Sequence, residues 1–168
     1  IFFEIFFKAI KKKSYKSPLI LVCCKKLLIK QMKFFNFKKK IEIFKIHDLK
    51  IKKINNKSLN LIDVKLKNSS IKKDQNKLIK MYIHDSFITA FKLIKTGLTN
   101  KFINGPINKR TFLNKKFLGI TEFISKSFKI KKTSMLIYNK KLSVCPATTH
   151  LPIKLLAKKI TKKLIEEK

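Results

Sequence analysis

The stretch that decides the fold is "LILVC", residues 19–23, an apolar run between the breaker pair Ser17-Pro18 and a lysine-rich segment. A short continuous apolar run between such boundaries is typical of a strand buried on both faces of a parallel sheet. The lysine-rich residues 25–36 predict a helix, and "IEIFKI", residues 41–46, alternates apolar and charged side chains as a strand does. This strand-helix-strand order predicts an α/β fold, with a mostly parallel sheet flanked by helices.

The same alternation continues along the chain, without an internal repeat. Apolar periodicity predicts further helices at 4–13, 74–96, 121–128 and 151–167. Further strands are predicted at 59–66, 101–104, 133–138 and 141–147. The last two lie close enough together to form a hairpin or an antiparallel turn-back. In the first helix the predicted apolar face carries Ile5, Phe6 and Ala9.

The clearest helical pattern lies at 74–96. Its apolar residues follow one another at steps of four, four, three and four, and they are Ile79, Ile83, Phe87, Ala90 and Ile94. Asp74 suits the N-cap, because its carboxylate can accept hydrogen bonds from free N–H groups. Gly97 stands where a helix end favours a left-handed residue.

The charge of the chain allows two interpretations. The formal net charge of +33 is typical of proteins that bind nucleic acid. However, Arg110 is the only arginine among 42 basic residues, and the lysines are spread along the whole chain. Arginine supplies the planar fork that contacts phosphates and guanine edges. An AT-rich genome, which favours lysine, isoleucine, asparagine and phenylalanine codons, is the better explanation, and nucleic-acid binding is the less favoured one.

Other bulk features narrow the class of protein. The 168 residues fit a single region with its own core. Three cysteines without an even framework or a CxxC pair favour the reducing cytoplasm. No membrane segment is predicted, because the longest apolar run, "PLILVCC", is far shorter than the roughly 20 residues that span a bilayer. The apolar start without a methionine predicts that the chain begins inside a longer reading frame.

Two stretches carry candidate chemistry. The first is "NGPINKRTFLNKKFLGITEF", residues 104–123, which contains Gly105 and Gly119. Glycine at a strand end lets backbone amides approach a ligand, and Thr121-Glu122 resembles a helix start suited to a phosphate. Two ordinary turns would explain the same residues.

The second stretch is "SVCPATTHLPIK", residues 143–154, which contains His150. A histidine there can be a metal ligand, an acid-base group or a structural residue, and a lone histidine is most often structural. His47 and His84 lack ligand spacing and are expected to be structural or exposed. With three glycines the chain contains neither a dinucleotide-binding nor a P-loop motif.

Together the two stretches resemble the 4-hydroxythreonine-4-phosphate dehydrogenases, the PdxA family of vitamin B6 synthesis. The family pattern "TGPINK", "GHTE", "MML" and "TTHLPL" appears in order as "NGPINK" 104–109, "GITE" 119–122, "SMLI" 134–137 and "TTHLPI" 148–153. The resemblance is strong over 97–168. It continues more weakly to "FEIFFKAI" at the start, which is similar to the family's "PEI..KA".

The resemblance implies a fold similar to isocitrate and isopropylmalate dehydrogenases, of which residues 1–168 form about the first half of two domains. It implies an NAD-dependent, metal-assisted oxidation and decarboxylation of 4-phosphohydroxy-L-threonine to 3-amino-2-oxopropyl phosphate, by a cytoplasmic homodimer with active sites at the subunit interface. His150 would bind the divalent metal (Zn, Mg or Co), and Thr121 the phosphorylated substrate. Ile120 replaces the usual substrate-binding histidine, and Gly105 and Lys109 are weaker candidates.

The resemblance also implies that parts of the site lie elsewhere. Two further metal histidines, and later substrate ligands, lie beyond residue 168 in the family. We therefore expect the chain alone to be inactive and to bind metal weakly. The alternatives are a lysine-rich, ribosomal-type nucleic-acid-binding protein and a non-catalytic, degenerate relative. Ile120 also leaves a related phosphorylated hydroxy acid open as the substrate.

Overall fold

The structure is a computed structural model that describes residues 1–12, 15, 17–50, 54–67, 72–108, 112, 113, 116–148 and 151–166. The chain separates into two compact units, Ile1–Phe112 and Leu113–Lys168. They are called here the first unit and the second unit.

A parallel sheet forms the centre of the first unit. Its strands are β1 (Ile20–Cys23), β2 (Ile41–Ile43) and β3 (Leu59–Asp63), in the order β1-β3-β2. Both pairs are parallel, and Leu61 of the central strand lies opposite Leu21 on one side and Ile43 on the other. The predicted α/β class and the buried parallel strand at 19–23 are confirmed.

Helices flank this sheet, and all but the short 3-10 helix lie where the sequence predicts a helix. They are α1 (Phe2–Lys11), α2 (Lys25–Phe34), a 3-10 helix (Ile46–Lys50) and α3 (Lys72–Lys95). The predicted strand 41–46 is too long, because the chain turns into the 3-10 helix at Ile46. The predicted strand 59–66 ends three residues early, at Asp63.

The predicted apolar face of α1 is confirmed only for Phe6, which is partly buried against the core. Phe7 and Ile10 are the buried residues of this helix, whereas Ile5 is 56% exposed. Phe7 stacks on Phe37, with ring centroids 4.4 Å apart. The position of Phe37, which the helix's own periodicity cannot reveal, decides which side of α1 is buried.

The long helix α3 confirms part of its predicted face. Phe87 and Ala90 are buried, but Ile79 is 45% exposed, because burial is confined to the second half of the helix. Asp74 is not the N-cap, since the helix already begins at Lys72. Gly97 has the predicted left-handed conformation, with φ of 76°.

One apolar cluster holds α1, α2 and the sheet together. Its members are Phe7, Ile10, Leu21, Cys23, Leu28, Phe37, Leu59 and Leu61. Leu28 of α2 and Leu61 of β3 have no exposed surface. Burying each such side chain contributes about 1.5–3 kcal/mol. The elements predicted around "LILVC" are therefore the ones that pack on it.

No strand forms at 101–104, so that prediction is wrong. Residues 101–108 have no regular secondary structure. Phe102 packs instead against α3, with its ring 5.7 Å from Phe87 and 5.9 Å from Phe91. Aromatic packing on a helix has replaced pairing with the sheet.

The second unit contains α4 (Ile120–Phe128), which confirms the helix predicted at 121–128. The predicted strands 133–138 and 141–147 are reduced to one antiparallel bridge between Ile137 and Val144. The predicted helix 151–167 is divided into a 3-10 turn (Ile153–Leu155), α5 (Leu156–Lys159) and α6 (Lys162–Glu166). The break falls at Ile160, which is extended, and none of these short elements has a buried residue to hold it.

Among the described residues, no helix has both the length and the apolar character needed to cross a membrane.

Candidate functional site

The start of α4 places two of the candidate residues side by side. Gly119 is the N-cap, with an extended backbone, and Ile120 and Thr121 are the first two helical residues. The first turn-closing bond runs from the Phe123 N–H to the Gly119 carbonyl, at 3.3 Å. The N–H groups of residues 120–122 come before this bond and, like the first N–H groups of any helix, have no acceptor within the helix. They give this end of the helix a partial positive charge.

The carboxylate of Glu122 already lies at this helix start. Its Oε2 would be 2.8 Å from a Cβ placed on Gly119, so the side chain folds back over the N-cap. An acidic side chain in the first turn stabilises a helix by about 0.3–1 kcal/mol. Gly119 leaves room for this carboxylate. This role differs from the expected one, in which the glycine lets backbone amides approach a ligand. An anionic substrate here would have to displace or share the position of Glu122.

Aromatic packing orients Thr121. Phe123 is buried against Phe117, edge to face at 5.5 Å, and the Lys126 ammonium lies 5.5 Å from the same Phe117 ring. Thr121 lies two residues before Phe123, or about 200° around the helix, so it points away from this packing. Both Ile120 and Thr121 are half-buried. The hydroxyl of Thr121 can form hydrogen bonds, whereas the side chain of Ile120 cannot.

The C-terminal end of α4 is fixed by a Schellman motif. Lys129 adopts the left-handed conformation, with φ of 56°. The N–H of Lys129 donates to the Lys126 carbonyl at 3.1 Å, and that of Ile130 to the Ser125 carbonyl at 2.9 Å. Both bonds are those of this motif. The helix that carries Thr121 is therefore defined at both ends.

Gly105 belongs to the first unit, and its surroundings explain it structurally. Its backbone is not in the left-handed region. A Cβ at this position would overlap the ring of Phe2, so the absence of a side chain permits a close approach to α1. The Asn104 amide donates to the Gly105 carbonyl at 3.1 Å. A binding role for Gly105 stays a prediction.

The remaining candidates are not all described. Lys109 and His150 lie outside the described residues. His47 and His84 are exposed, as predicted, with 75% and 55% of their side chains accessible. Within the described ranges no three His, Cys, Asp or Glu side chains come together as a metal site would require. These residues thus do not fit a metal ion on their own.

The carboxyl edge of the sheet contains contacts that the sequence pattern did not indicate. The N–H of Lys25, first residue of α2, donates to Asp63 Oδ1 at 2.7 Å. The N–H of Cys24 donates to Tyr82 Oη at 2.9 Å. Cys24 makes no side-chain cap itself, so residues from β3 and α3 cap this helix. A local search for Ser, Thr, Asp or Asn before α2 could not have found them.

The thiol of Cys23, at this edge of the sheet, is unreactive. Burial raises the pKa of the Cys23 thiol to about 12, with smaller contributions from Cys24 and Asp63. Burial also raises the pKa of Tyr82. A thiol with such a pKa is protonated at neutral pH and is a poor nucleophile. Cys23 is therefore a core residue.

Comparison with solved structures shows which fold this is. A 4-hydroxythreonine-4-phosphate dehydrogenase from Burkholderia phymatum superposes with a TM-score of 0.71 at 20% identity, covering 97% of this chain and 50% of that chain. The corresponding Klebsiella pneumoniae structure gives 0.61 at 19% identity, covering 90% and 46%. The chain thus has about half of the α/β fold found in these dehydrogenases.

The sequence identifies the particular family. The family described as "Pyridoxal phosphate biosynthetic protein PdxA" matches residues 15–168, and the chain belongs to it. The 4-hydroxythreonine-4-phosphate dehydrogenase of Wigglesworthia glossinidia brevipalpis is 28% identical over 165 residues, which cover 95% of this chain and 48% of that protein. The Bacteroides thetaiotaomicron protein of the same name is 34% identical over 82 residues, 47% and 22% of the two chains.

These matches confirm the resemblance seen in the motifs. The chain spans about half the length of the Wigglesworthia relative and of the two solved structures.

Proposed function

We propose that this chain forms the first half of an NAD-dependent dehydrogenase of pyridoxal phosphate synthesis. The reaction is the metal-assisted oxidation and decarboxylation of 4-phosphohydroxy-L-threonine to 3-amino-2-oxopropyl phosphate. The observation that carries the proposal is the family match over residues 15–168, which includes all the motifs between 104 and 154. The domain assignment of residues 1–168, as one partial region of a two-domain enzyme, is part of the same proposal.

The start of α4 supplies the substrate contacts in this proposal. The Thr121 hydroxyl hydrogen-bonds the substrate from the side of the helix that faces away from Phe123. Ile120 contributes only apolar surface, so the polar contact that a histidine makes at this position in the family is absent. A related phosphorylated hydroxy acid is therefore the alternative substrate. Gly105 and Lys109 are the weaker substrate-binding candidates.

The metal site is shared with residues outside this chain. His150 contributes one ligand to a divalent Zn, Mg or Co ion, and a catalytic site needs about three protein ligands. When bound, the ion acts as a Lewis acid on the substrate oxygen. Because His150 alone supplies too few ligands for a catalytic metal ion, we propose that the 168-residue chain alone is inactive.

The proposed assembly is a cytoplasmic homodimer with active sites at the subunit interface. Exposed apolar side chains in the second unit support association with further protein. The bridge region exposes six such residues at 42–72%: Met135, Leu136, Ile137, Tyr138, Leu142 and Val144. Side chains of this kind usually become buried against another surface.

The test joins this chain to the second half of the Wigglesworthia relative. NADH formation from 4-phosphohydroxy-L-threonine is measured for the joined protein and for the 168-residue chain alone. We expect activity only in the joined protein, lost in its His150→Ala variant. Thr121→Val should raise KM at least about tenfold, because a hydrogen bond to a charged group contributes about 1.5–3 kcal/mol.

Matched variants make this test specific. Thr133→Val, an exposed threonine of the same unit, should leave KM unchanged. Ile120→His restores the family residue and should lower KM. A joined protein that is folded by circular dichroism but inactive on the substrate contradicts the proposed function. Turnover by the chain alone contradicts the requirement for a second half.

A further inference from the structure

A groove in the first unit lies between the end of α2 and the start of β2. It has a volume of about 530 Å³ and is lined by Ile29, Met32, Lys33, Asn36, Phe37, Lys38, Lys39 and Ile41. This surface is called here the α2 groove. Small-molecule sites typically have volumes of about 300–1,000 Å³ and mostly apolar walls. The α2 groove meets both criteria.

The floor of the α2 groove is held rigidly by the end of α2. Asn36 is left-handed, with φ of 44°. Its N–H donates to the Lys33 carbonyl at 3.2 Å, and the Phe37 N–H donates to the Met32 carbonyl at 2.8 Å, which again forms a Schellman motif. The last carbonyls of the helix are thereby satisfied, and the groove exists without a ligand to form it.

The charge of the α2 groove has one sign. Three of its eight lining residues are lysines, and none is acidic. Lys40 just outside is paired with Glu42 at 3.6 Å, whereas no ion pair to a described residue is formed by Lys33, Lys38 or Lys39. An anionic group entering the groove would meet ammonium groups without a competing carboxylate.

The α2 groove lies at the opposite end of the strands from the edge where open α/β sheets bind ligands. Ile41 is the first residue of β2, so the groove lies at the amino ends of the strands. Ligands of open α/β sheets bind beyond the carboxyl ends, where Asp63 and Tyr82 cap α2 in this chain. The groove is therefore not at that carboxyl edge of the sheet.

We propose that the α2 groove binds an amphipathic anion, specifically a free fatty carboxylate. The acyl chain lies along Ile29, Met32 and Ile41, and the carboxylate is held by the lysines. Single-stranded nucleic acid is disfavoured because Phe37 is only 7% exposed and offers no ring face for base stacking. A membrane surface is disfavoured because the apolar residues line a concavity.

The test measures binding of laurate and of dodecanol to the 168-residue chain by isothermal titration calorimetry, below the micelle concentration. Laurate should bind at least tenfold more tightly than dodecanol, and the difference should shrink as salt is raised, since Lys33 and Lys38 are exposed and Lys39 is partly exposed. Replacing Lys33, Lys38 and Lys39 together by glutamine should weaken laurate at least tenfold and leave dodecanol within twofold.

A matched control separates the groove from the overall charge. Glutamine at Lys65, Lys67 and Lys77, exposed lysines elsewhere in the first unit, removes the same three charges and should change laurate affinity less than twofold. Equal losses in both triple variants would mean that the net charge binds laurate, and the proposal fails. It also fails if laurate does not bind, or if the chain binds phosphatidylglycerol vesicles while free laurate does not compete.

Discussion

Replacing Asn60 by aspartate tests how the central strand is held. Asn60 is 1% exposed on β3, and its amide donates to the Leu19 carbonyl at 2.9 Å and to the Asn55 carbonyl at 2.7 Å. These bonds attach the residues before β1 and the loop before β3 to the same side chain. Asn60→Asp keeps the shape but replaces the two N–H donors by at most one O–H, which is present only when the carboxyl is protonated.

The size of the effect depends on pH. The protonated carboxyl can donate to only one carbonyl, and leaving the other unsatisfied costs about 2 kcal/mol. Burial and the two facing carbonyls raise the folded-state pKa of the introduced carboxyl above its unfolded value of about 3.9. A rise of about 1.5 units adds about 2 kcal/mol at neutral pH. We expect the free energy of unfolding to be lower than in wild type by about 4 kcal/mol at pH 7 and by about half that at pH 3.

The sign follows from linkage. Because the pKa is raised in the folded state, the stability of the variant relative to wild type is highest below about pH 4 and falls as pH rises through the folded pKa. Urea unfolding by circular dichroism at both pH values measures the difference. Asn55→Asp is the control, because Asn55 is exposed and its Oδ1 accepts from the Lys57 N–H at 2.8 Å. A loss below about 0.5 kcal/mol at pH 7, or a loss that does not shrink on acidification, would refute the reasoning.

Variants at three further positions test other contacts by urea unfolding. Asp63→Ala removes the cap of α2 and should lower the free energy of unfolding by about 1–2 kcal/mol. Asp63→Asn keeps the acceptor for the Lys25 N–H and should lower it by less than about 1 kcal/mol. Equal losses in the two variants would argue against capping. Lys129 has a φ of 56°, a conformation that strains a residue with a side chain but suits glycine. Lys129→Gly should therefore stabilise α4 by about 0.5–1 kcal/mol, and a destabilised variant would contradict the strain at this position. Gly105→Ala should lower the free energy of unfolding by about 1–3 kcal/mol, because the new methyl group collides with Phe2. The loss should be smaller in a Phe2→Ala background, and an unchanged loss would exclude that contact.

The sequence predicted those parts of the fold that local patterns specify. The strand at 19–23, the helices that begin near 25, 72 and 120, and the left-handed Gly97 all agree with the structure. Apolar runs, helical periodicity and glycine conformations are properties of a few neighbouring residues, so the sequence alone reveals them. Family membership was likewise carried by short motifs, and the match over 15–168 confirms it.

The candidate site was less predictable. The sequence placed Thr121 and Glu122 at a helix start, and in the structure this helix begins one residue earlier, at Ile120. It did not reveal that Glu122 folds back over Gly119, or that Gly105 makes room for Phe2. Both are contacts whose partners are chosen by packing, and a motif contains no information about them. The roles of Lys109 and His150 stay predictions, since neither lies within the described residues.

By itself the sequence determined the α/β class, the parallel strand "LILVC" and the family of this protein. Only the tertiary structure decided which face of α1 is buried, that Asp63 and Tyr82 cap α2 from distant elements, and that 101–104 packs on α3 instead of joining the sheet. The physical reason is the same in each case. Local backbone preferences are fractions of a kcal/mol per residue, about 1 at most, whereas burying a large side chain contributes about 1.5–3 kcal/mol, so distant partners overrule local pattern.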